Sequence, residues 1–160
     1  FYYHMLHKQG KNDEAIKTLE GIAAGNAKIM SVHTTLAVAY IDSNNTEKAI
    51  QEYKTALDIN PTDARTNKNL GELLLKTGKD HDATKYLEEA AKQMQLDRGL
   101  LKTLAQTYDK MGERSKAVNA YRNYLKIDPA NKEMKDRLNE LEKPAVTDTN
   151  KQKSGTDTQK

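Results

Sequence analysis

The stretch GKNDEA at residues 10–15 returns as NNTEKA at 44–49, as GKDHDA at 78–83 and as GERSKA at 112–117. Each copy opens on glycine or asparagine, residues that tolerate a left-handed backbone, and closes on alanine. Successive copies stand 34 residues apart with no insertion or deletion. Outward from this stretch the same period holds. Four residues beyond the alanines lie Leu19, Tyr53, Leu87 and Tyr121, and three further on Ile22, Ala56, Ala90 and Tyr124. Nine before the alanines lie Leu6, Tyr40, Leu74 and Tyr108. Another column reads Tyr2, Leu36, Leu70, Leu104 and Leu138, followed at once by Tyr3, Ala37, Gly71, Ala105 and Asn139. Several columns recurring together make one repeated supersecondary unit.

Spacing inside the unit is helical. Leu36, Ala37 and Tyr40 fall at i, i+1, i+4, and Ala49, Tyr53 and Ala56 at i, i+4, i+7, which makes two amphipathic stripes. The break between them is expected at Gly10, Asn44, Gly78 and Gly112, where a left-handed C-cap fits. Asn12, Asn45 or Thr46, and Asp80 are placed to accept a first-turn amide hydrogen bond of the next helix. Pro61 and Pro129 close the second helix, since proline brings no amide to continue the ladder. The small residues Ala37, Gly71 and Ala105 face Ala15, Ala49, Ala83 and Ala117, a contact that lets helix backbones approach. One such hairpin cannot bury its own stripe, so hairpins must stack.

These columns resemble the tetratricopeptide repeat, with its large, small, aromatic, Gly, Ala, aromatic and Pro landmarks. Two departures stand out: the family's tryptophan is missing throughout, and Gln95 occupies the place of Pro61 and Pro129. The turn near Gln95 is therefore expected to be less sharply fixed. The resemblance implies an all-α, right-handed superhelical solenoid of antiparallel helix pairs, about four repeats long. Its units would be 1–29 (incomplete), 30–63, 64–97 and 98–131, with a capping helix at 132–143 that completes a 1–143 solenoid. The tail 144–160, almost wholly polar, is expected to be disordered. Phe1 falls inside a helix without an initiator methionine, so further repeats or an anchor are expected upstream.

Composition narrows the chemistry. Twenty-six basic against 23 acidic residues leave +3, too slight an excess for a nucleic-acid binder, which wants a basic stripe. The related pentatricopeptide arrays that read RNA have a slightly longer period. No apolar run reaches the roughly 18 residues that a membrane span needs. Cysteine is absent, which removes thiol catalysis and thiolate metal sites and leaves the compartment open between cytoplasm and bacterial periplasm. His4 and His7 have a spacing that could share a metal, but no Asp or Glu nearby completes the set. Gly10-Lys11 and Gly78-Lys79 lack the rest of a phosphate loop, and the segment from Asp42 to Tyr53 lacks the glycine and final glutamate of a calcium loop. Ser31, Ser43, Ser115 and Ser154 sit in no nucleophile elbow. No catalytic residue, cofactor or metal is expected.

What remains is a surface. In the family that this chain resembles, first helices line a concave groove holding an extended or helical peptide. The match puts there His4 and His7, then Thr34, Val38 and Ile41, then Arg65, Lys68, Asn69, Glu72 and Leu75, and finally Lys102, Gln106 and Asp109. Residues 30–63 carry 2 basic and 5 acidic side chains and 98–131 carry 7 and 3, so the charge changes sign along the stack. Arg65, Lys68 and Lys102 are expected as long, exposed charges facing one concavity. The carboxylate clamp of chaperone-binding relatives fits poorly, because Glu72 and Thr103 replace two of its asparagines. The expected function is a non-enzymatic interaction scaffold whose partner is a protein or peptide segment, acidic segments included. The alternatives are the recruiting part of a larger enzyme, and a scaffold that homo-oligomerises through the apolar opening at Phe1, Tyr2 and Tyr3.

Overall fold

The computed structural model describes residues 2–143, apart from the side chains of Tyr2 and His4. The tail expected at 144–160 lies outside the described residues, as does Phe1. Every regular element among the described residues is a helix: α1 (Tyr2–Lys8), α2 (Asn12–Gly25), α3 (Met30–Asp42), α4 (Thr46–Ile59), α5 (Ala64–Lys76), α6 (Asp80–Gln93), α7 (Arg98–Lys110), α8 (Arg114–Ile127) and α9 (Lys132–Glu142). Each packs on the next in chain order, and α3 with α4, α5 with α6 and α7 with α8 form the tightest pairs. The fold is an all-α solenoid of stacked hairpins.

The turn column does what its chemistry requires. Gly10, Gly78 and Gly112 have φ of 72°, 73° and 73°, and Asn44, their counterpart, has φ of 58°. Each ends a first helix in the left-handed conformation, and the amide one residue on bonds back into the last turn, as Lys79 does to the Leu74 carbonyl (3.0 Å). The small column is fully buried: Ala15, Ala37, Ala49, Ala83, Ala105 and Ala117 have no solvent exposure. Beside it Leu36, Leu70, Leu87, Leu100 and Met134 are the largest fully buried side chains. Burying each contributes on the order of 1.5–3 kcal/mol.

Capping differs from expectation. Asn12 and Asp80 are the first residues of α2 and α6, one position too far in, and neither helix has a side-chain cap. Asn12 meets His7 instead, and Asp80 pairs with Lys110 at 2.6 Å. Among the second helices only α4 is capped, by Asn45. The first helices carry the stronger pattern: Asp63, Asp97 and Asn131, 34 residues apart, accept from the amides of Thr66 (2.8 Å), Leu100 (2.9 Å) and Met134 (3.1 Å). Asp97 also fixes the turn after Gln95, which has the same form as the turn at Pro61 despite the missing proline.

Buried polar groups are all accommodated among the described residues. His33 reaches the Ala27 carbonyl with Nε2 (3.0 Å) and Glu52 with Nδ1 (2.7 Å). One repeat later, Asn67 donates to the carbonyls of Pro61 (2.9 Å) and Asp63 (3.0 Å). Both tie the connection between hairpins to the helix that follows it.

Candidate functional site

Two first helices form the walls of a groove. On α3, Thr34, Val38 and Ile41 fall at i, i+4, i+7, and on α5, Arg65, Asn69 and Glu72 do the same, so each set shares one helix face. Between them lies a cavity of about 650 Å³. Thr34, Val38, Arg65 and Asn69 line it, together with Met30, Ser31 and Thr35 of α3. Tyr3 of α1, Tyr53 of α4, and Gln93 and Met94 at the end of α6 complete it with the start of α5.

Most polar groups around the cavity already have work. Thr34 and Thr35 donate their hydroxyls to the Ser31 carbonyl (3.1 and 2.7 Å), and Gln93 Nε2 donates to the Thr62 carbonyl (2.7 Å). Asp63 caps α5. The Tyr3 hydroxyl donates to Asp42. Tyr53, nearly inaccessible, has its pKa raised by burial first. The hydrogen bond with Asn69 opposes that rise, and the negative charges of Asp42 and Glu72 add to it. Three charges on α5 stay uncommitted: Arg65, Glu72 and Lys76 have no ion-pair partner among the described residues.

The other charges expected here are not free. Lys68 is only partly exposed, and its Nζ donates to Asp97 Oδ2 at 2.6 Å, bridging α5 to the cap of α7. Its bond holds the Asp97 carboxyl below the usual carboxylate range, helped by the Leu100 amide. The expectation of an exposed Lys68 is therefore corrected: the lysine joins two repeats. Lys102 lies 3.6 Å from Glu133 of α9. Asp109 accepts both arms of the Arg137 guanidinium (2.6 and 2.7 Å) and the Tyr121 hydroxyl (3.1 Å). Arg137 lowers the Asp109 pKa, while burial, with Asp109 beside it, pushes Tyr121 up to about 12. Gln106 and Asp109 thus line a separate cavity of about 450 Å³, walled by Glu133, Met134 and Arg137 of α9.

The remaining expected residues are dispersed. His7 is exposed, with Nδ1 2.9 Å from Asn12 Oδ1 and 3.7 Å from Asp42. The side chain of His4 is outside what is described. Ile41 and Leu75 are partly buried against the core. No group of three His, Cys, Asp or Glu among the described residues could hold a metal. No described helix is long and apolar enough to cross a membrane. Met30, Ser31, Tyr53, Gln93 and Met94 escape a reading confined to the inner stripe. The first two open α3, and the last three come from second helices or their ends. Tyr53 carries a usable signal, since a phenol in a core column needs a partner for its hydroxyl.

Sequence comparisons agree with this geometry. A family model described as TPR repeat matches residues 38–78, and one described as tetratricopeptide repeat matches 103–131. No curated protein sequence matches the chain. Among solved structures, MamA aligns at 21% identity over 86% of this chain and 80% of its own, with a TM-score of 0.73. MamA from Desulfovibrio magneticus RS-1 aligns at 18% identity over 88% and 79%, TM-score 0.72. YrrB, a TPR protein with an unusual peptide-binding site, aligns at 14% identity over 88% and 72%, TM-score 0.75. Identities this low carry the fold and not the ligand.

Proposed function

The chain belongs to the tetratricopeptide-repeat family, and from that premise we propose that it is an interaction module whose α3–α5 groove captures a segment of another protein. The carrying observation is the cavity itself: about 650 Å³, open between two rigid first helices. Apolar surface from Val38, Met30 and Met94 lies beside hydroxyl and amide groups. Such a mix suits an extended backbone with alternating side chains, for which apolar contact supplies affinity and a few polar groups fix orientation. A groove shaped before the partner arrives also lowers the ordering cost of capture. YrrB, with its peptide-binding site on the same fold, supports the reading by likeness.

The test is selection from a phage-displayed octapeptide library. Thr34 is half-buried and lines the cavity, so Thr34→Arg fills the groove without opening the core. The parent should enrich a motif and Thr34→Arg should enrich none, with equal melting temperatures. Lys85→Glu with Lys92→Glu, on the exposed face of α6, should select as the parent does. Selection that survives Thr34→Arg and fails in the α6 variant would move the site to the other face.

A further inference from the structure

His33, Asn67 and Leu101 occupy one position in successive repeats, and all three are buried. His33 uses both ring nitrogens, on the Ala27 carbonyl and on Glu52 of α4. Leu101 has no polar side-chain atom to satisfy. Asn67 differs from both. Its partners, the carbonyls of Pro61 and Asp63, are acceptors, so they take the amide nitrogen and leave Oδ1 over. Tyr86 stands where Glu52 stands one repeat earlier, yet no hydrogen bond among the described residues joins it to Asn67. Asn67 is 2% exposed, and no described polar side-chain atom is sealed from solvent without a partner, so Oδ1 is an atom that stays open. Asn67 lines a cavity of about 550 Å³ between the second helices α4 and α6, which shares no residue with the α3–α5 groove. An acceptor held this deep competes with little water for a donor.

The polar wall of this cavity is uncommitted. Gln51, Lys54 and Asp58 of α4 and Tyr86 of α6 line it, and none of these side chains has a hydrogen bond or ion pair among the described residues. Lys54 and Asp58 stand one turn apart on one face, in the order, base before acid, that pairs less well on a helix. Asp82, the other carboxylate whose field reaches Tyr86, is shared with Lys85 at 3.8 Å. Burial first, then Asp82 and Asp58, raise the Tyr86 pKa, so its hydroxyl stays protonated at neutral pH. At the next junction the same positions read Lys85, Glu88, Lys92, Leu101 and Ala120, so the set is not rebuilt there. We propose that the furrow between α4 and α6 binds a free α-amino acid with an apolar side chain, its ammonium on Asn67, Asp58 and Tyr86 and its carboxylate on Lys54. An ammonium has three donors and no acceptor, which suits three oxygens. The carboxylate takes charge-assisted bonds from Lys54 and a further one from the Gln51 amide. The side chain lies over Leu57 and Pro61, the apolar part of the wall.

The experiment titrates isotope-labelled protein with leucine, and with leucinol and 4-methylpentanoate, which lack its carboxylate and its ammonium in turn. Resonances of the Asn67 side-chain amide and the Tyr86 backbone amide report binding. Leucine should shift both with a dissociation constant of about 1 mM, a scale within reach of so small a ligand. Each analogue should bind about tenfold more weakly. Asp58→Asn and Lys54→Gln change exposed side chains, so they should fold as the parent does and lose leucine by the same factor. Thr34→Arg, in the other cavity, should bind leucine as the parent does. Asn67→Leu copies Leu101 and should abolish the Tyr86 shift, with a melting curve to show that the variant folds. Leucinol or 4-methylpentanoate binding as tightly as leucine would overturn the paired charges of the ligand. Unchanged binding in Asp58→Asn and Lys54→Gln, or shifts centred on Thr34 and Val38, would overturn the site. No shift with any probe would leave Asn67 Oδ1 to water alone and overturn the proposal, with the α3–α5 groove reading untouched.

Discussion

Gly71 shows how narrowly the packing is set. A β-carbon there would lie 2.6 Å from Leu87 Cγ and 3.2 Å from the Ala83 carbonyl oxygen, so α5 and α6 touch almost backbone to side chain. Gly71→Leu and Ala83→Leu should each destabilise by at least about 1–3 kcal/mol through overpacking, measured by urea denaturation. Variants that melt with the parent would mean the contact is loose. Lys68 belongs to the same scale. The folded Asp97 carboxyl titrates below its ordinary value because Lys68 bonds to it. The folded state therefore binds that proton more weakly than the unfolded chain does. The stability so gained is complete above about pH 4, where an unfolded aspartate is ionised, and is lost as pH falls through the depressed folded value. Lys68→Met should therefore be less stable than the parent at pH 7, and the gap should close in acid. A gap constant from neutral to acid would exclude the pair as its source. The small column and the turn glycines were legible as residues because each needs one special chemistry. Lys68 was not, since its partner lies 29 positions away in the next repeat.

Among the elements, α9 bears most on how the stack ends. Its Met134 is buried to 1% exposure, Leu138 and Leu141 pack against the core edge, and Arg137 ties it to Asp109. Arg122 holds Glu142 (2.6 Å), and Arg114 reaches the carbonyls of Leu141 (2.6 Å) and Lys143. Exposed pairs of this kind contribute little each, so the burial should dominate. Met134→Ala should cost about 2–5 kcal/mol, and Arg122→Ala far less, both read as shifts in the denaturation midpoint. Equal shifts would show that the cap is held by its charges. At this scale the sequence was informative about helices and poor about their starts. The hydrophobic stripe fixes where a helix packs, whereas its first residue depends on one side-chain hydrogen bond. Asp63, Asp97 and Asn131 carried that signal at constant spacing, and the same bond explains why the turn after Gln95 needs no proline.

Across the whole molecule, helices meet chiefly their neighbours in the chain, so the stack is close to one-dimensional and each contact recurs down it. One arrangement recurs every second repeat. The Tyr40 hydroxyl donates to Glu20, while Lys48 lies 3.7 Å from Glu20 and 4.9 Å above the Tyr40 ring. Sixty-eight residues on, Tyr108, Glu88 and Lys116 repeat it, with the lysine 3.8 Å from Glu88 and 5.2 Å above the ring. Burial, reinforced by those carboxylates, raises both phenols' pKa values, so both stay protonated donors at neutral pH. The two sites stabilise alternate hairpin junctions and leave the junction between them, with α5, without the motif.

That middle stretch is also where the groove opens. Its walls could be read from the repeat register, which puts Thr34, Val38, Arg65 and Asn69 on the inner stripe. Its ends could not, because Met94 and Gln93 reach it from the far end of a second helix. The most direct measurement of the central claim is a map of amide chemical-shift changes in isotope-labelled protein, on titration with the tightest octapeptide recovered from the library selection. The account predicts changes concentrated at Ser31, Thr34, Val38, Arg65, Asn69, Gln93 and Met94, with α8 and the exposed face of α6 around Lys85 undisturbed. Changes centred on Lys85, Leu96 and Lys126 instead, or spread evenly over the chain, would contradict it.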